Sequence, residues 1–302
     1  MTGGVARPML AGMAHELSKL SPAKINLTLR VDPLRQDGFH EIESLTARIG
    51  LSDRVTVALR DDDRIVLSCD NPAIPTDDRN LAVRAALQLQ EFSGKRRGAT
   101  IALEKRIPSG AGLGGGSANA AATLDLLDRL WQTELTRDEL CRVGSEIGSD
   151  IPLFFHGGCC LIRGRGEQVV DAALLPAGWA VLILPPFEIA TAAVYAAWDE
   201  LNVGSDERAR TDPQSLVAEA ASLEALMPSL FNDLEAPARR VSRPLDEGFE
   251  RLAGLSDVPV RMTGSGSCMF RLFDGRAAAD RFAREAAHAT SFRVEVVSFP
   301  AE

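Results

Sequence analysis

The sequence predicts a globular protein that contains both strands and helices, arranged in about two domains. Its 302 residues are about twice the length of an average domain. Hydrophobic residues make up 45% of the chain and charged residues 25%, which is typical of a globular protein in water. Segments that alternate like strands and segments with helical periodicity both occur along the whole chain.

The charge of the chain limits the kinds of partner it can have. The formal net charge is −9, whereas binding to nucleic acid requires clustered lysine and arginine. We therefore expect neither nucleic acid nor a membrane as a partner, although a small phosphorylated ligand needs only a local positive site. The apolar run WAVLIL at 179–184 is too short to span a bilayer, and the first 13 residues do not resemble a signal peptide. These features predict a cytoplasmic protein with a disordered tail over residues 1–18.

The cysteines do not form a pattern that predicts a metal site or a disulfide framework. The five cysteines include no CxxC spacing, and two of them, Cys159 and Cys160, are adjacent. Reduced, buried thiols are the expected state.

The first half of the chain is predicted to be mainly strands, with one helix before a glycine-rich segment. Alternating or apolar segments predict strands, and the acidic triplet at 61–63 predicts a turn. The predicted strands lie at 24–31, 42–49, 54–59, 64–69 and 100–107, and the helix at 80–92.

Helices follow the glycine-rich segment, and a second half then begins with a new strand. The segment 117–131 predicts a helix, and Thr136 with Glu139 forms a capping box that starts another. A hairpin is predicted around 164–167. The later elements are strands at 179–184, 258–263, 268–273 and 292–299 and a helix near 277–288. The boundary between the two domains is predicted between about 160 and 178.

The glycine-rich segment is the main functional signal in the sequence. Five of the seven residues from Gly110 to Gly116 are glycine, and a helix follows directly. Backbone N–H groups of such a segment converge on an anion, and the helix adds its positive N-terminal dipole. The segment is therefore predicted to bind phosphate.

Known glycine-loop patterns fit this segment only in part. The P-loop pattern GxxxxGK[ST] fits from Gly110 to Ser117, except that Gly116 stands where lysine is required. The dinucleotide pattern GxGxxG fits Gly110, Gly112 and Gly115, but the expected acidic residue about 20 positions later is not evident. The protein-kinase motifs HRD and DFG do not occur in the sequence. A flexible linker is the remaining alternative, although a linker would not continue into so regular a helix.

Two charged residues elsewhere are candidates for the chemistry. Lys24, in SPAKINL, could supply the cation that the loop lacks, or could extend its ammonium to water at a sheet edge. Asp150, in IGSDIPLFF, is expected to be largely buried, and could instead cap the helix that follows. Together with the loop, the two residues favour the catalytic interpretation.

Three motifs resemble those of the GHMP kinase superfamily. They are PAKINL, PSGAGLGGGSANAAA and TGSGS, in this order and spacing. Three further segments, RQDGFHEIESL, GSDIP and NDLE at 232–235, narrow the resemblance to the branch that phosphorylates cytidylylated methylerythritol. The resemblance covers residues 20–298.

This resemblance implies a two-domain α+β fold with the active site in the cleft between the domains. An N-terminal ATP-binding domain would occupy 1–170, and a C-terminal ferredoxin-like domain 171–302. The implied reaction transfers the γ-phosphoryl group of ATP to the 2-hydroxyl of the methylerythritol unit, with Mg²⁺ as cofactor, on the methylerythritol phosphate route to isoprenoid precursors. The implied partners are these two small molecules.

The resemblance also implies roles for individual residues. Lys24 and Asp150 would be catalytic, with Asp150 as the base, and Ser117 would be a candidate ligand of Mg²⁺. The ATP contacts would come from Asn80, Pro108, Ser109, Gly110, Ala111, Gly112, Leu113, Gly114, Gly115, Gly116, Ser117 and Asn119. The substrate contacts would come from Asn26, Phe39, His40, Thr191, Tyr195, Gly264, Ser265 and Gly266.

Within the substrate set, Phe39 and Tyr195 are expected to stack on opposite faces of the cytosine, and His40 or its backbone to bind the edge of the base. The chain departs from the family at Phe39, because DGFH stands where the family commonly has DGYH. Any role of that tyrosine hydroxyl is absent here.

Other functions remain as alternatives at this stage. A homoserine or mevalonate-type kinase is the nearest, and the DGFH segment, interpreted as a cytosine site, argues against it. A ligand sensor without catalysis would not need both Lys24 and Asp150. A dinucleotide-dependent oxidoreductase is the most distant alternative.

Overall fold

The computed structural model describes residues 15–201 and 212–299. Residues 1–14 of the predicted tail lie outside the described residues. The prediction is wrong for residues 16–18, because the first strand already begins at Glu16. The pairing of Glu16 with Ala58 and an ion pair between Lys19 and Asp125 at 2.7 Å hold this strand in place.

The larger sheet contains strands mainly from the first half of the chain. Its long central strand, His40–Arg60, pairs with four other described strands. Two pairs in the sheet are parallel: Ile65–Cys69 with Gly98–Glu104, and Thr28–Leu34 with Phe231–Asn232. The strands are β1 (Glu16–Asn26), β2 (Thr28–Leu34), β3 (His40–Arg60), β4 (Ile65–Cys69), β5 (Gly98–Glu104), β6 (Cys159–Arg163), β7 (Gln168–Asp171) and, after β8 below, β9 (Phe231–Asn232).

The smaller sheet is antiparallel and comes from the second half of the chain. Its strands are β8 (Trp179–Leu184), β10 (Arg261–Met262), β11 (Met269–Phe273) and β12 (Arg293–Ser298). They lie in the order β10-β11-β8-β12. Helices that lie between these strands along the chain pack on one face of the sheet, which agrees with the expected ferredoxin-like half.

The α-helices surround the two sheets. In chain order they are α1 (Leu81–Ser93), α2 (Gly115–Trp131), α3 (Arg137–Ile147), α4 (Thr191–Leu201), α5 (Pro213–Ala218), α6 (Leu223–Leu226), α7 (Glu235–Val241), α8 (Arg243–Ala253) and α9 (Arg276–Thr290). Short 3₁₀ helices lie at Pro152–Phe155 and Met227–Ser229. In the part of the chain that is described, no helix is long and apolar enough to cross a membrane.

Three apolar clusters join these elements into layers. Helices α1, α2 and α3 pack on one face of the larger sheet. The other face packs against the smaller sheet through residues such as Ile25, Leu45 and Phe270. Helices α7, α8 and α9 cover the other face of the smaller sheet. The fold is therefore α+β, as expected, with the two sheets facing each other.

Several predicted elements are confirmed and three differ. The capping box of Thr136 and Glu139 starts α3, and the hairpin at 164–167 joins β6 to β7. The strand predicted at 24–31 is divided at Leu27 between the end of β1 and the start of β2. The two strands predicted at 42–49 and 54–59 are one continuous strand, because β1 pairs along most of its length. The strand predicted at 258–263 is reduced to Arg261–Met262, since only these residues pair with β11.

The division of the chain at 170/171 stays a prediction. Strand β8 and the strands that pair with it follow this boundary. However, Phe231 and Asn232 return to the larger sheet, where they pair with β2. A segment of the second half is thus built into the first sheet.

The side chains of β1 point alternately to the two faces of the sheet, and this alternation positions two residues of the functional site. Ala23, Ile25 and Leu27 point into the apolar layer between the sheets. Lys24 and Asn26 point to the opposite face, where the amide of Asn26 meets the hydroxyls of strand β3. The period of two along a strand therefore places two polar side chains together beneath the glycine-rich segment.

Candidate active site

Two cavities meet at the glycine-rich segment. The first, which we call the lysine cavity, has a volume of about 330 Å³ and is lined by Lys24 and Asp150 among others. The second, the loop cavity, has a volume of about 570 Å³ and is lined by the whole segment from Pro108 to Ser117. Both cavities share Gly110, Gly112, Gly114 and Thr191. The loop backbone is thus the wall between them.

Two glycines of this wall approach other residues too closely for a side chain. Gly112 has a φ of +76°, and a Cβ placed on it would lie 2.4 Å from the carbonyl oxygen of Thr263. A Cβ on Gly114, whose φ is +70°, would lie 3.0 Å from Cγ of Lys24 and 3.1 Å from the ring of Phe154. Glycine is required at both positions by backbone conformation and by space.

Helix α2 begins at the end of this segment with its N–H groups available. Its cap is Gly114, which provides no side-chain hydrogen bond, and its first turn contains no acidic residue. The N-terminus of a 17-residue helix therefore carries positive partial charge towards the loop cavity. Ser117 lies in this first turn and lines the same cavity. This is the geometry of an anion site.

Lys24 is buried at the floor of the lysine cavity. Its side chain is only 6% exposed, so the alternative of an ammonium extended to water is wrong. The ammonium donates a hydrogen bond of 2.7 Å to Oδ1 of Asn26, and the backbone N–H of Lys24 donates to Leu113 O at 3.0 Å. Burial lowers the pKa of Lys24, and the negative charge of Asp150 opposes that effect.

Asp150 faces Lys24 across the cavity. Its Oδ2 lies 4.0 Å from Nζ of Lys24. The side chain is 38% exposed, so the expectation that it is largely buried is wrong, because it lines an open cavity. The following 3₁₀ helix has Ile151 at its N-cap with no side-chain cap. Asp150 is thus available to a ligand and does not cap that helix.

Hydrogen bonds to two hydroxyl groups orient the side chain of Asn26, and a third hydrogen bond connects its backbone to the second half of the chain. Its amide nitrogen donates to Ser44 Oγ at 2.7 Å and to Thr46 Oγ1 at 3.2 Å, which leaves Oδ1 for Lys24. Its backbone N–H donates to Thr263 Oγ1 at 2.9 Å. Asn26 therefore fixes the position of the lysine ammonium.

The second glycine loop, TGSGS at 263–267, closes the lysine cavity from the other side. Gly264, Ser265 and Gly266 line it. The amide of Asn232, in the NDLE segment, donates to the carbonyls of Met262 at 2.9 Å and Gly264 at 2.8 Å. Because Asn232 also belongs to strand β9 of the larger sheet, it connects this loop to that sheet.

Thr191 and Tyr195 bring helix α4 to the lysine cavity. The hydroxyl of Thr191 lies 2.8 Å from that of Ser265. Burial, with the nearby charge of Asp150, raises the pKa of Tyr195 to about 12, so the phenol is neutral. Its ring packs against the ring of His40, with centroids 5.0 Å apart.

The predicted cytosine residues are only partly brought together. Tyr195 lines the lysine cavity, whereas Phe39 and His40 do not form part of its lining. His40 lies behind Tyr195, with Nδ1 2.9 Å from Asp32 O. Phe39 is half exposed, and its ring lies 4.8 Å from the guanidinium carbon of Arg165. In the structure the partner of the Tyr195 ring is therefore His40.

Arg165 is a cavity residue that the sequence analysis missed. It lies in the β6–β7 turn and lines the lysine cavity. A Cβ on the next residue, Gly166, would lie 3.2 Å from Oδ1 of Asp150. No carboxylate within 15–201 or 212–299 forms an ion pair with Arg165, whereas Arg163 pairs with Glu43 at 3.0 Å. A positive residue in a hairpin turn is common, so sequence alone had no signal for it.

Every residue predicted to contact ATP lines the loop cavity. Asn80, however, already uses its amide: Oδ1 caps α1 through Ala82 N at 2.9 Å, and Nδ2 donates to Pro75 O at 2.8 Å. Oδ1 of Asn119 is buried without a hydrogen-bond partner. A buried acceptor of this kind needs a donor, so Asn119 is the better candidate for a polar contact with a ligand.

A second lysine flanks the loop cavity. Lys105 precedes the glycine segment, is 7% exposed and forms an ion pair with the fully buried Asp53. The sequence analysis assigned the cation that the loop lacks to Lys24 and did not single out Lys105, although Lys105 stands directly before the loop in EKRIP.

The described residues do not include a cluster of side chains that could bind a metal ion by themselves. Among the described residues, no group of three or more histidine, cysteine, aspartate and glutamate side chains could hold a metal ion. Ser117 in the loop cavity and Asp150 in the lysine cavity are two of the several side chains with oxygen atoms that line the cavities. This set fits Mg²⁺, which usually binds through one or two protein oxygens together with phosphate oxygens and water.

Comparisons with known proteins agree with the geometry. Residues 80–158 match the family described as GHMP kinases N terminal domain, and residues 215–290 match GHMP kinases C terminal. A 4-diphosphocytidyl-2-C-methyl-D-erythritol kinase from Bacillus pumilus is 39% identical over 252 residues, which are 83% of this chain and 86% of that protein. The kinase of the same name from Cupriavidus metallidurans is 39% identical over 262 residues, 86% of each chain.

Solved structures show the same similarity. A crystal structure of 4-(cytidine 5'-diphospho)-2C-methyl-D-erythritol kinase has a TM-score of 0.75 and 35% identity, and covers 95% of this chain and 100% of its own. A homoserine kinase from Cytophaga hutchinsonii has a TM-score of 0.71 at 18% identity, with 98% of both chains covered. The latter likeness extends to the fold alone.

The two glycines at positions 112 and 116 should respond differently to alanine. We expect Gly112→Ala to lower the melting temperature by about 5 °C or more, because a left-handed residue with a Cβ costs about 1–2 kcal/mol and the Cβ also meets a backbone carbonyl. Gly116→Ala is the matched control. Its Cβ would meet only a leucine methyl at 3.5 Å in a helix, where alanine is favoured. Equal melting temperatures for the two variants would contradict the close approach at Gly112.

Proposed function

The chain belongs to the GHMP kinases and, within them, to the family of 4-diphosphocytidyl-2-C-methyl-D-erythritol kinases, and from this premise we propose how its two cavities perform phosphoryl transfer. The family expected from the sequence is confirmed. The chain is an ATP-dependent kinase that acts on a hydroxyl group. The proposed acceptor is the 2-hydroxyl of 4-diphosphocytidyl-2-C-methyl-D-erythritol, in isoprenoid precursor biosynthesis.

ATP occupies the loop cavity in this proposal. Apolar side chains at Ile74, Leu81 and Leu103 line one end of it, and Oδ1 of Asn119 can accept from the amino group of adenine. The triphosphate lies along the N–H groups of the glycine segment and the start of α2. The γ-phosphoryl group then lies at the junction with the lysine cavity, because the two cavities share Gly110, Gly112 and Gly114.

Asp150 is proposed as the general base. Its carboxylate lines the lysine cavity and is not consumed by capping, so it can accept the proton of the acceptor hydroxyl. Phosphoryl transfer requires little covalent participation by the protein, and depends on positioning and on stabilisation of charge. A base on the acceptor side of the loop, opposite the nucleotide, is consistent with in-line transfer.

Lys24 stabilises the charge that develops between the two substrates. Its ammonium is 4.0 Å from Asp150, is held by Asn26 and lies beside Gly114 of the wall. Because the group is buried, its interaction with an alkoxide or phosphoryl oxygen is screened little by water. This Lys24–Asp150 pair in the lysine cavity, beside Gly114 that both cavities share, is the observation that carries the proposal.

Mg²⁺ is proposed as the cofactor, and Ser117, which lines the loop cavity, would be its protein ligand beside the phosphates of ATP. When bound it would neutralise phosphate charge. The net charge of −9 favours small-molecule partners over nucleic acid or a membrane, and the proposed location is the cytoplasm.

The acceptor is proposed to lie along α4 and the β6–β7 turn. Arg165 has no carboxylate partner among the described residues and can bind a phosphate of the cytidine diphosphate. Tyr195 provides a face for the cytosine, and Phe39, under Arg165, can cover the other face if it moves into the cavity. His40, behind Tyr195, supports that ring.

The test of the function is ATP consumption with three acceptors in parallel. We expect turnover with the cytidylylated methylerythritol and none with homoserine or mevalonate. Asp150→Asn should reduce kcat by about 10²- to 10⁴-fold while ATP still binds. Turnover with homoserine instead, or near-normal turnover in the variant, would contradict the acceptor or the base respectively.

The dependence of activity on pH should show the loss of the charge of Lys24. Because burial lowers the pKa of Lys24, raising the pH removes its charge earlier than for an exposed lysine, whose pKa is about 10.4. We expect kcat/KM, which depends on the ionisation of the free enzyme, to fall on the alkaline side below that value. In Lys24→Arg the fall should move to higher pH, since a guanidinium stays protonated. Lys19→Arg, at an exposed lysine, is the control; a profile unchanged in Lys24→Arg would exclude the assignment.

Substitution of Arg165 should weaken binding of the acceptor and leave binding of ATP unchanged. A hydrogen bond to a charged group contributes about 1.5–3 kcal/mol, so Arg165→Gln should raise KM for the cytidylylated substrate by about tenfold or more and leave KM for ATP unchanged. Arg163→Gln in the same hairpin is the matched control, because Arg163 pairs with Glu43. If the two variants give the same acceptor KM, Arg165 does not bind the diphosphate.

A further inference from the structure

Asp53 is a fully buried carboxylate that the mechanism above does not use. It lies in β3, at the centre of the larger sheet, and has no exposed surface. A buried charge is costly unless it is paired and hydrogen-bonded. The groups that satisfy Asp53 therefore indicate why it is there.

All of its described partners lie directly before the phosphate loop. Oδ1 accepts the backbone N–H groups of Arg106 at 2.7 Å and Ile107 at 2.8 Å. Oδ2 accepts from the ammonium of Lys105. One carboxylate thus fixes the three residues that join β5 to Pro108, where the loop begins.

Lys105 reaches the loop from the nucleotide side. It lines the loop cavity, and its Nζ lies 3.4 Å from the position of a Cβ on Gly115, the first residue of α2. Ile107 also packs against this glycine, with Cγ2 2.8 Å from the same position. The ammonium is therefore held at the positive end of the helix, where its own placement is unfavourable unless a negative group is present.

Two negative groups meet that requirement, one permanent and one transient. Asp53 is the permanent counter-charge. The triphosphate, which the proposed function places along the same helix N-terminus, is the transient one. An ammonium has three N–H donors, so Lys105 can keep Asp53 and still donate to a phosphate oxygen.

We infer that Asp53 is a positioning residue for the nucleotide, which holds Lys105 and the entry of the phosphate loop so that the lysine binds the phosphates of ATP. Lys105 is then the cation that the loop itself lacks in the ground state. Lys24, on the far side of the loop, acts on the group being transferred. This inference rests on the proposed function only in that ATP occupies the loop cavity.

The affinities for ATP and for adenosine distinguish a residue that binds the phosphates from one that only stabilises the fold. A residue that acts through the phosphates affects ATP and leaves adenosine unaffected. A residue that only stabilises the fold affects both ligands alike. Titration calorimetry with ATP, ADP and adenosine on the full chain distinguishes the two cases without any acceptor substrate.

We expect Asp53→Asn and Lys105→Gln each to weaken ATP by about tenfold or more, the effect of one charge-assisted hydrogen bond, and to change adenosine by less than about twofold. The double variant should bind ATP no more weakly than Lys105→Gln alone, because Asp53 acts through Lys105. Its two amides can also hydrogen-bond to each other. If Asp53→Asn does not fold, the comparison of Lys105→Gln with the double variant provides the test.

The matched controls are Lys19→Gln and Asp125→Asn. These residues form another lysine–aspartate pair, at 2.7 Å, between β1 and α2 outside the loop cavity, and their loss should leave ATP affinity unchanged. Equal weakening of ATP and adenosine, or unchanged ATP affinity in folded Lys105→Gln, would overturn the inference. Failure of the unaltered protein to bind ATP would overturn the proposed function together with it.

Discussion

The buried ammonium of Lys24 is the group around which the two halves of the chain are assembled. A charge of this kind is stable in the interior only if other groups compensate for the water it has lost. Asn26, from the same strand, provides an oxygen at 2.7 Å, and Asp150 provides a negative charge at 4.0 Å. Gly264, from the opposite half, approaches the same ammonium. Residues that are distant in sequence must therefore come together around this ammonium.

The contacts around Lys24 also make the glycine segment a shared wall. The backbone of Lys24 holds Leu113, and Gly114 lies against its side chain. Gly112 lies against Thr263 of the second glycine loop. The backbone of this segment presents N–H groups and is shared by both cavities, so a phosphoryl group at their junction can be bound from one side and approached by an acceptor from the other. The position of the wall follows from where Lys24 is buried.

Positive charge is concentrated at this wall although the chain is acidic overall. Lys105 lies on the nucleotide side, Lys24 beneath the loop and Arg165 on the acceptor side. Each stands near a place where a phosphate is expected. Local charge therefore decides ligand binding here, and the net charge of −9 affects only long-range attraction.

The sequence alone determined the features that depend on neighbouring residues. The glycine segment followed by an alanine-rich helix and the capping box at Thr136 are local patterns, and each predicted its element correctly. The alternation around Lys24 correctly predicted extended chain, although the break at Leu27 divides it between two strands. The resemblance of the motifs then identified the family, the fold class and the reaction. These features follow from periodicity and backbone conformation, which the chain carries within short segments.

Only the tertiary structure decided which groups meet. Sequence could not show that Asp150 is open to the cavity, that His40 packs on Tyr195, or that Arg165 lies without a carboxylate partner among the described residues. It also could not show that Asp53 supports Lys105 across 52 residues. Burial and charge pairing depend on strands and loops that come together only in the folded chain, so a side chain's environment is a property of the whole fold, whereas its element is a property of its neighbours.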